Sequence, residues 1–285
     1  MSALALGLLL VAAFGHATWN FLAKRAAGGT AFVWLFSALA ALLYAPVAVG
    51  VYAIQRPALG WVAVAFMVGT AVLHTAYFVT LQRGYDVGEL SVVYPLARST
   101  GPVLAMAAAV ALMGERPSVV ASMGAGLVVA GALAISWRAG ARSRSLRRSV
   151  TAGLLVGALI AGYTLWDKHA VSAVGVPPVL LDWAGNLGRA VLLSPYVLGR
   201  RDRVREQWRA HRAEALAIAL LAPLSYILVL TAMAFTPVSY VAPAREVSVL
   251  VGTFLGSRLL GEGDLRRRLA AAALMLAGLA ALTRG

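Results

Sequence analysis

The chain has 285 residues, 61% of them hydrophobic and 13% charged, with no cysteine and a formal net charge of +14. That much apolar surface cannot be hidden in one soluble core of this length, and the absence of cysteine excludes disulfides, zinc thiolate sites and iron–sulfur clusters. The basic excess would suit a nucleic-acid partner in a soluble chain, but here it is gathered between apolar runs of about 20 residues, the pattern of membrane spans whose loops face anionic head groups.

Breaking the apolar runs at charges, prolines and glycine clusters predicts an all-α polytopic membrane protein with ten transmembrane helices, at 2–23, 30–53, 60–82, 90–113, 118–137, 150–170, 177–198, 214–234, 238–260 and 268–283. The runs are too long for tilted barrel strands and lack a period of two. The first run has no positive residues before it, and Lys24 and Arg25 follow it, so a retained helix is expected rather than a signal peptide. On that helix His16, Asn20 and Lys24 share a face, with Trp19 beside them. The third helix carries His74 and Tyr77. The fourth carries Tyr94, Pro95 and Arg98 and closes at Gly114 and Glu115. A basic connection at 138–149 follows the fifth helix and divides the chain.

The sixth helix carries Trp166, Asp167 and Lys168, and the seventh carries Asp182 and Arg189. The basic connection at 199–214 reads either as a short amphipathic helix on the head groups, anchored by Trp208, or as a solvated loop. The eighth helix carries Tyr226. The ninth carries Pro243, Arg245 and Glu246 and closes at Gly261 and Glu262. Glycine and alanine are dense in the fifth and tenth helices, which predicts close helix packing or a homodimer surface there.

The two halves, 1–137 and 150–285, repeat one another. An aromatic-to-lysine stretch at 19–24 is answered at 163–168. Pro95, Arg98 and Glu115 are answered by Pro243, Arg245 and Glu262, at spacings of 148, 147 and 147 residues. Chance aligns alanine and leucine between apolar segments, but not proline, arginine and Gly-Glu in order. Five crossings per unit invert the second copy relative to the first, and such inverted repeats place a binding site near the midplane between them.

On these residues, Trp19-Asn20 with Lys24, Pro95-Leu96 with Gly114-Glu115-Arg116, and their counterparts at Tyr163 to Lys168 and Pro243 with Gly261-Glu262, the chain resembles the EamA-type ten-helix transporters of the drug/metabolite transporter superfamily. The resemblance implies export of an amino acid, metabolite or drug, no cofactor, and both termini in the cytoplasm. The arginines argue otherwise on orientation. They crowd the connections after odd-numbered helices, at 138–148, 200–212 and 266–268, so positive-inside bias favours external termini.

An ionised side chain near the bilayer centre costs at least about 2.5 kcal/mol, so each one needs a partner or a wet cavity. Arg98 and Arg245 follow prolines that remove a backbone hydrogen bond. Either they face a cavity and hold an anionic group bidentately, or they pair with Glu246 or Asp182 or snorkel to the interface. His16 and His74 read as proton carriers or as interhelical hydrogen-bond partners. Tyr77, Tyr94, Trp166 and Tyr226 read as aromatic walls of a pathway or as packing rings. The sequence has no HExxH, GxSxG or Walker A motif and no metal-ligand spacing. The expectation is therefore a non-enzymatic secondary transporter of a small polar metabolite in the cell membrane.

Overall fold

The computed structural model describes residues 1–26, 28–87, 90–136, 146–248, 250–251 and 265–284. Predicted features at 138–145, Gly261 and Glu262, and the side chains of Lys24, Tyr94, Pro95 and Arg266 to Arg268, lie outside the described part. Ten helices occur among the described residues: α1 (Ala3–Ala26), α2 (Gly29–Gln55), α3 (Trp61–Val87), α4 (Leu90–Met113), α5 (Val119–Ser136), α6 (Leu146–Ser172), α7 (Pro178–Leu198), α8 (Arg201–Phe235), α9 (Val238–Ala244) and α10 (Leu265–Arg284). Six of them, α1 to α4, α6 and α8, are long and apolar enough to cross a membrane. α5 and α10 carry shorter apolar stretches, at Val119–Ala134 and Ala270–Arg284. The α7 helix is 21 residues long but carries Asp182, Asn186 and Arg189 along one buried stripe.

Large apolar side chains face outward around the bundle, among them Ile54 at 84% exposure and Leu112 at 80%. In water such a surface would aggregate; in lipid it is the solvated one.

Two departures from the sequence expectation shape the site. The predicted 214–234 span begins much earlier, at Arg201, with a non-helical residue, His211 (φ −134°, ψ 31°), separating a basic first segment from the apolar remainder. That segment docks on the α1–α2 turn. Val204 joins the apolar cluster around Phe32, the His211 ring lies 6.2 Å from that of Phe32, and Arg25 Nε lies 3.5 Å from Glu214 Oε1. The helical alternative for the 199–214 connection is the one found, with Trp208 exposed.

The predicted ninth span breaks after seven residues. Pro243 has no amide hydrogen to give, and the chain tightens at once into short turn bonds, Glu246 N–H to Pro243 O (3.0 Å) and Ser248 N–H to Arg245 O (3.1 Å). Glu115, at the end of α4, starts this short helix by accepting the Val238 and Ser239 amides at 2.7 and 2.8 Å.

The most extensive packing joins the first five helices to the last five. α4 and α3 lie on α6, α1 lies on α8, α2 on α7, and α5 on α10. Several contacts also answer one another when α1–α5 are exchanged for α6–α10, although the extensive α4–α6 contact has no comparable α9–α1 counterpart among the described residues. The α1–α8 contact has its counterpart in α6–α3, and α2–α8 in α7–α3, while α2–α7, α4–α9 and α5–α10 map onto themselves. The core is thus built between the two sets of helices rather than within each.

Candidate functional site

A cavity of about 90 Å³ lies where these helices converge. From the first five helices it takes His16, Trp19 and Asn20 on α1, Phe36 on α2, His74, Tyr77 and Phe78 on α3, and Arg98 on α4. From the last five it takes Tyr163 on α6, the α7 stripe, Tyr226 on α8, and Arg245 and Ser248 after α9. At roughly 30 Å³ per water it holds a few waters or a small polar group.

The charged groups on α4 and α7 at the cavity are each paired in their own way. Arg98 bridges from α4 to the turn after α9, with Nε 3.2 Å from Glu246 Oε2 and Nη2 donating to Ser248 Oγ at 3.0 Å. The break after Pro243 is what turns Glu246 and Ser248 toward α4. On α7 the i, i+4, i+7 spacing of Asp182, Asn186 and Arg189 makes a continuous chain. Asn186 Nδ2 donates to Asp182 Oδ2 at 3.0 Å, Arg189 donates to Asn186 Oδ1, and Arg189 Nε donates to Ser37 Oγ on α2 at 2.8 Å. The Arg189 guanidinium also lies 4.7 Å from the Phe78 ring centre.

Asp167 is fully buried and is held from three sides. Its Oδ1 accepts the Thr70 hydroxyl at 2.6 Å. Its Oδ2 accepts the Tyr226 hydroxyl at 2.5 Å and lies 2.9 Å from His74 Nε2. The Tyr163 ring stacks at 4.3 Å on His74.

His16 and Arg245 are left with unused capacity among the described residues. His16 accepts the Trp19 indole N–H on Nδ1 at 2.9 Å, while its buried Nε2 has no hydrogen-bond partner. Among the described residues, the Arg245 guanidinium meets the face of Tyr226, 5.5 Å from the ring centre, and no hydrogen-bonding side chain.

The cavity therefore gathers ten of the sixteen residues that the sequence singled out: His16, Trp19, Asn20, His74, Tyr77, Arg98, Tyr226 and Arg245 on its wall, with Asp167 behind His74 and Glu246 behind Arg98. Two others lie elsewhere. The Trp166 ring packs 4.4 Å from Phe66 and donates to Phe66 O at 2.9 Å, over Gly69, where a Cβ would come within 2.2 Å of the indole. Lys168 donates to Met233 O and Thr236 O at 2.6 and 3.1 Å, satisfying carbonyls left open at the end of α8. Both are positioned as packing and capping groups. Pro243 sets the break without lining the cavity. The sequence reading missed Thr70, Ser37 and Asn186, because uncharged polar residues in apolar helices do not announce their partners.

The EamA-like transporter family matches residues 147–284. That match lies in the second half of the chain. The fold is shared more widely: a solved structure described only as "Crystal structure of protein" superposes with a TM-score of 0.72 at 15% identity, covering 97% of this chain and 98% of that one. No curated protein matches the sequence. Similarity to that domain, together with the apolar helices, points to a multi-pass membrane protein of transporter type with a small-molecule substrate.

Proposed function

We propose that the protein is a secondary transporter that exports a small polar metabolite, an amino acid or organic anion, by alternating access of two inverted five-helix halves. Residues 1–137 and 150–285 form the halves, joined by the basic linker at 138–149. The carrying observation is the cavity itself, lined from both sets of helices, with a guanidinium at Arg245 and an imidazole nitrogen at His16 whose hydrogen-bonding capacity is unspent. A charged group in the membrane interior without a hydrogen-bonded counter-ion is costly, and an anionic or zwitterionic substrate supplies the counter-ion.

The exchange-related packing supports the inverted repeat, and the Pro243 break supplies a hinge. The α1–α2 and α7–α8 connections lie at one end, where Arg25 meets Glu214 and Arg201, Arg203, Arg205 and Arg209 are exposed. Positive-inside bias assigns that end to the cytoplasm of the cell membrane, facing anionic head groups.

Flux in proteoliposomes against a mixed amino-acid and organic-acid panel, read by mass spectrometry, tests the reading. Arg245→Ala protein is expected to insert and fold but to lose about ten- to a hundredfold in flux, the value of one charged hydrogen-bonding contact. Absence of wild-type flux across the panel would instead favour a membrane scaffold or an intramembrane enzyme.

A further inference from the structure

The Asp167 cluster does more than bundle packing requires. Interhelical hydrogen bonds in membranes contribute about 0.6 kcal/mol each, so the three on Asp167 together fall short of the 2.5 kcal/mol or more, roughly, that an ionised group costs in the membrane interior. As a fastening between α3, α6 and α8 the carboxylate is a net expense, and threonine or asparagine would serve better.

Its surroundings suit another task. All three neighbours, Thr70, His74 and Tyr226, can donate, so the ionised carboxylate is fully supplied with hydrogens. A proton added to the pair is accepted without an unpaired charge: His74 becomes imidazolium against Asp167 Oδ2, at a distance already that of an ion pair. If the proton moves onto Oδ2 instead, the new O–H donates back to His74 Nε2, and the oxygen, now neutral, holds the Tyr226 hydroxyl more weakly. His74 lines the cavity and Asp167 lies behind it, so water in the cavity reaches the pair through the imidazole.

We propose that His74 and Asp167, clamped by Thr70 and Tyr226, form the proton-binding site that couples this transporter to a proton gradient. The proposal rests on the transport reading above. The proton adds to the pair from cavity water on one face of the membrane and returns to cavity water on the other, with only N–H and O–H bonds made and broken. Tyr226 carries the signal to the substrate. Its hydroxyl is held by Asp167 while its ring face carries the Arg245 guanidinium, so weakening the Asp167 bond loosens the ring on which Arg245 rests.

The other ionisable neighbours are accounted for. Tyr163 on α6 stacks on His74, and Tyr77 on α3 meets Tyr163 edge-on at 5.6 Å. Asp182 on α7 acts on Asp167 through space but is tied into the Asn186–Arg189 chain. Lys168, the next residue on α6, is spent on the α8 carbonyls.

The test compares panel flux in proteoliposomes with and without an imposed gradient of about one pH unit. One coupled proton changes the accumulation ratio up to about tenfold per unit in the wild type. In Asp167→Asn and in His74→Gln, which keeps a donor for Asp167 and removes only the titrating ring, the ratio of driven to undriven flux is expected to fall to about one. Wild-type flux indifferent to the gradient overturns the proposal and leaves the transport reading standing, as does full gradient dependence in His74→Gln. A second measurement needs no substrate. Infrared difference spectra on acidification of the purified protein should show bands of the protonated pair, imidazolium or carboxyl, that the double variant Asp167→Asn with His74→Gln removes, and identical spectra for the two proteins would overturn the proposal even if no panel compound were carried.

Discussion

Arg98→Ala protein is expected to unfold at a markedly lower temperature in detergent than Arg245→Ala protein, although both lose flux. Arg98 spans α4 and the turn after α9, and its removal strands Glu246, which is only 4% exposed and whose ion-pair partner is Arg98 Nε at 3.2 Å. Breaking a buried pair by deleting one partner costs about 3 to 5 kcal/mol, because the remaining charge must then be buried alone. Arg245 also acts on Glu246 through space, but Arg98 remains to pair that carboxylate, so removing Arg245 costs chiefly its contact with the Tyr226 ring, about 1 to 2 kcal/mol of cation–π attraction. The double variant Arg98→Met with Glu246→Leu removes both charges together and should recover most of the stability while remaining inactive. Equal unfolding temperatures for the two single variants would show that the Arg98–Glu246 pair holds nothing together.

That asymmetry was invisible in the sequence, where Arg98 and Arg245 occupy matching places in the two halves and carry the same two readings. The structure gives one reading to each. Arg98 is paired, as the structural alternative had it, and Arg245 lines the cavity without a hydrogen-bonding side chain among the described residues. What decides between them is the break after Pro243, which swings Glu246 and Ser248 toward α4 and so supplies partners to Arg98 alone.

The helices themselves were legible because membrane spans are long, apolar and separated by charge, a signal that no tertiary contact needs to supply. Partners are different. Asp167 bonds Thr70 across 97 positions, and Arg189 bonds Ser37 across 152, distances at which only the packed bundle decides who meets whom. Trp166 and Lys168 were drawn into the site by adjacency to Asp167, yet successive residues on a helix point about 100° apart, and the three side chains go to three different destinations.

The small residues of α5 and α10 lead to the second large effect. Gly278→Leu is expected to destabilise the protein by about 3 kcal/mol. A Cβ at Gly278 would sit 2.6 Å from Gly124 O and 2.8 Å from Val128 N, and both are backbone atoms that cannot turn aside, so the helices must separate. Gly124 meets the same obstacle in return, 2.7 Å from Gly278 O, which makes this a two-sided contact. These glycines, proposed from the sequence as a packing or dimer surface, are used within one chain. Gly126, on the same helix as Gly124 but facing outward with nothing within 4 Å, is the control. Gly126→Ala should be neutral or slightly stabilising, since alanine is the better helix former by about 1 kcal/mol. Neither α5 nor α10 contributes a described residue to the cavity wall. Gly278→Leu should therefore reduce the amount of folded protein while each folded molecule transports at the wild-type rate. A loss of flux per folded molecule as large as that of Arg245→Ala would mean that the α5–α10 contact moves during transport rather than standing still as the rigid seam between the halves.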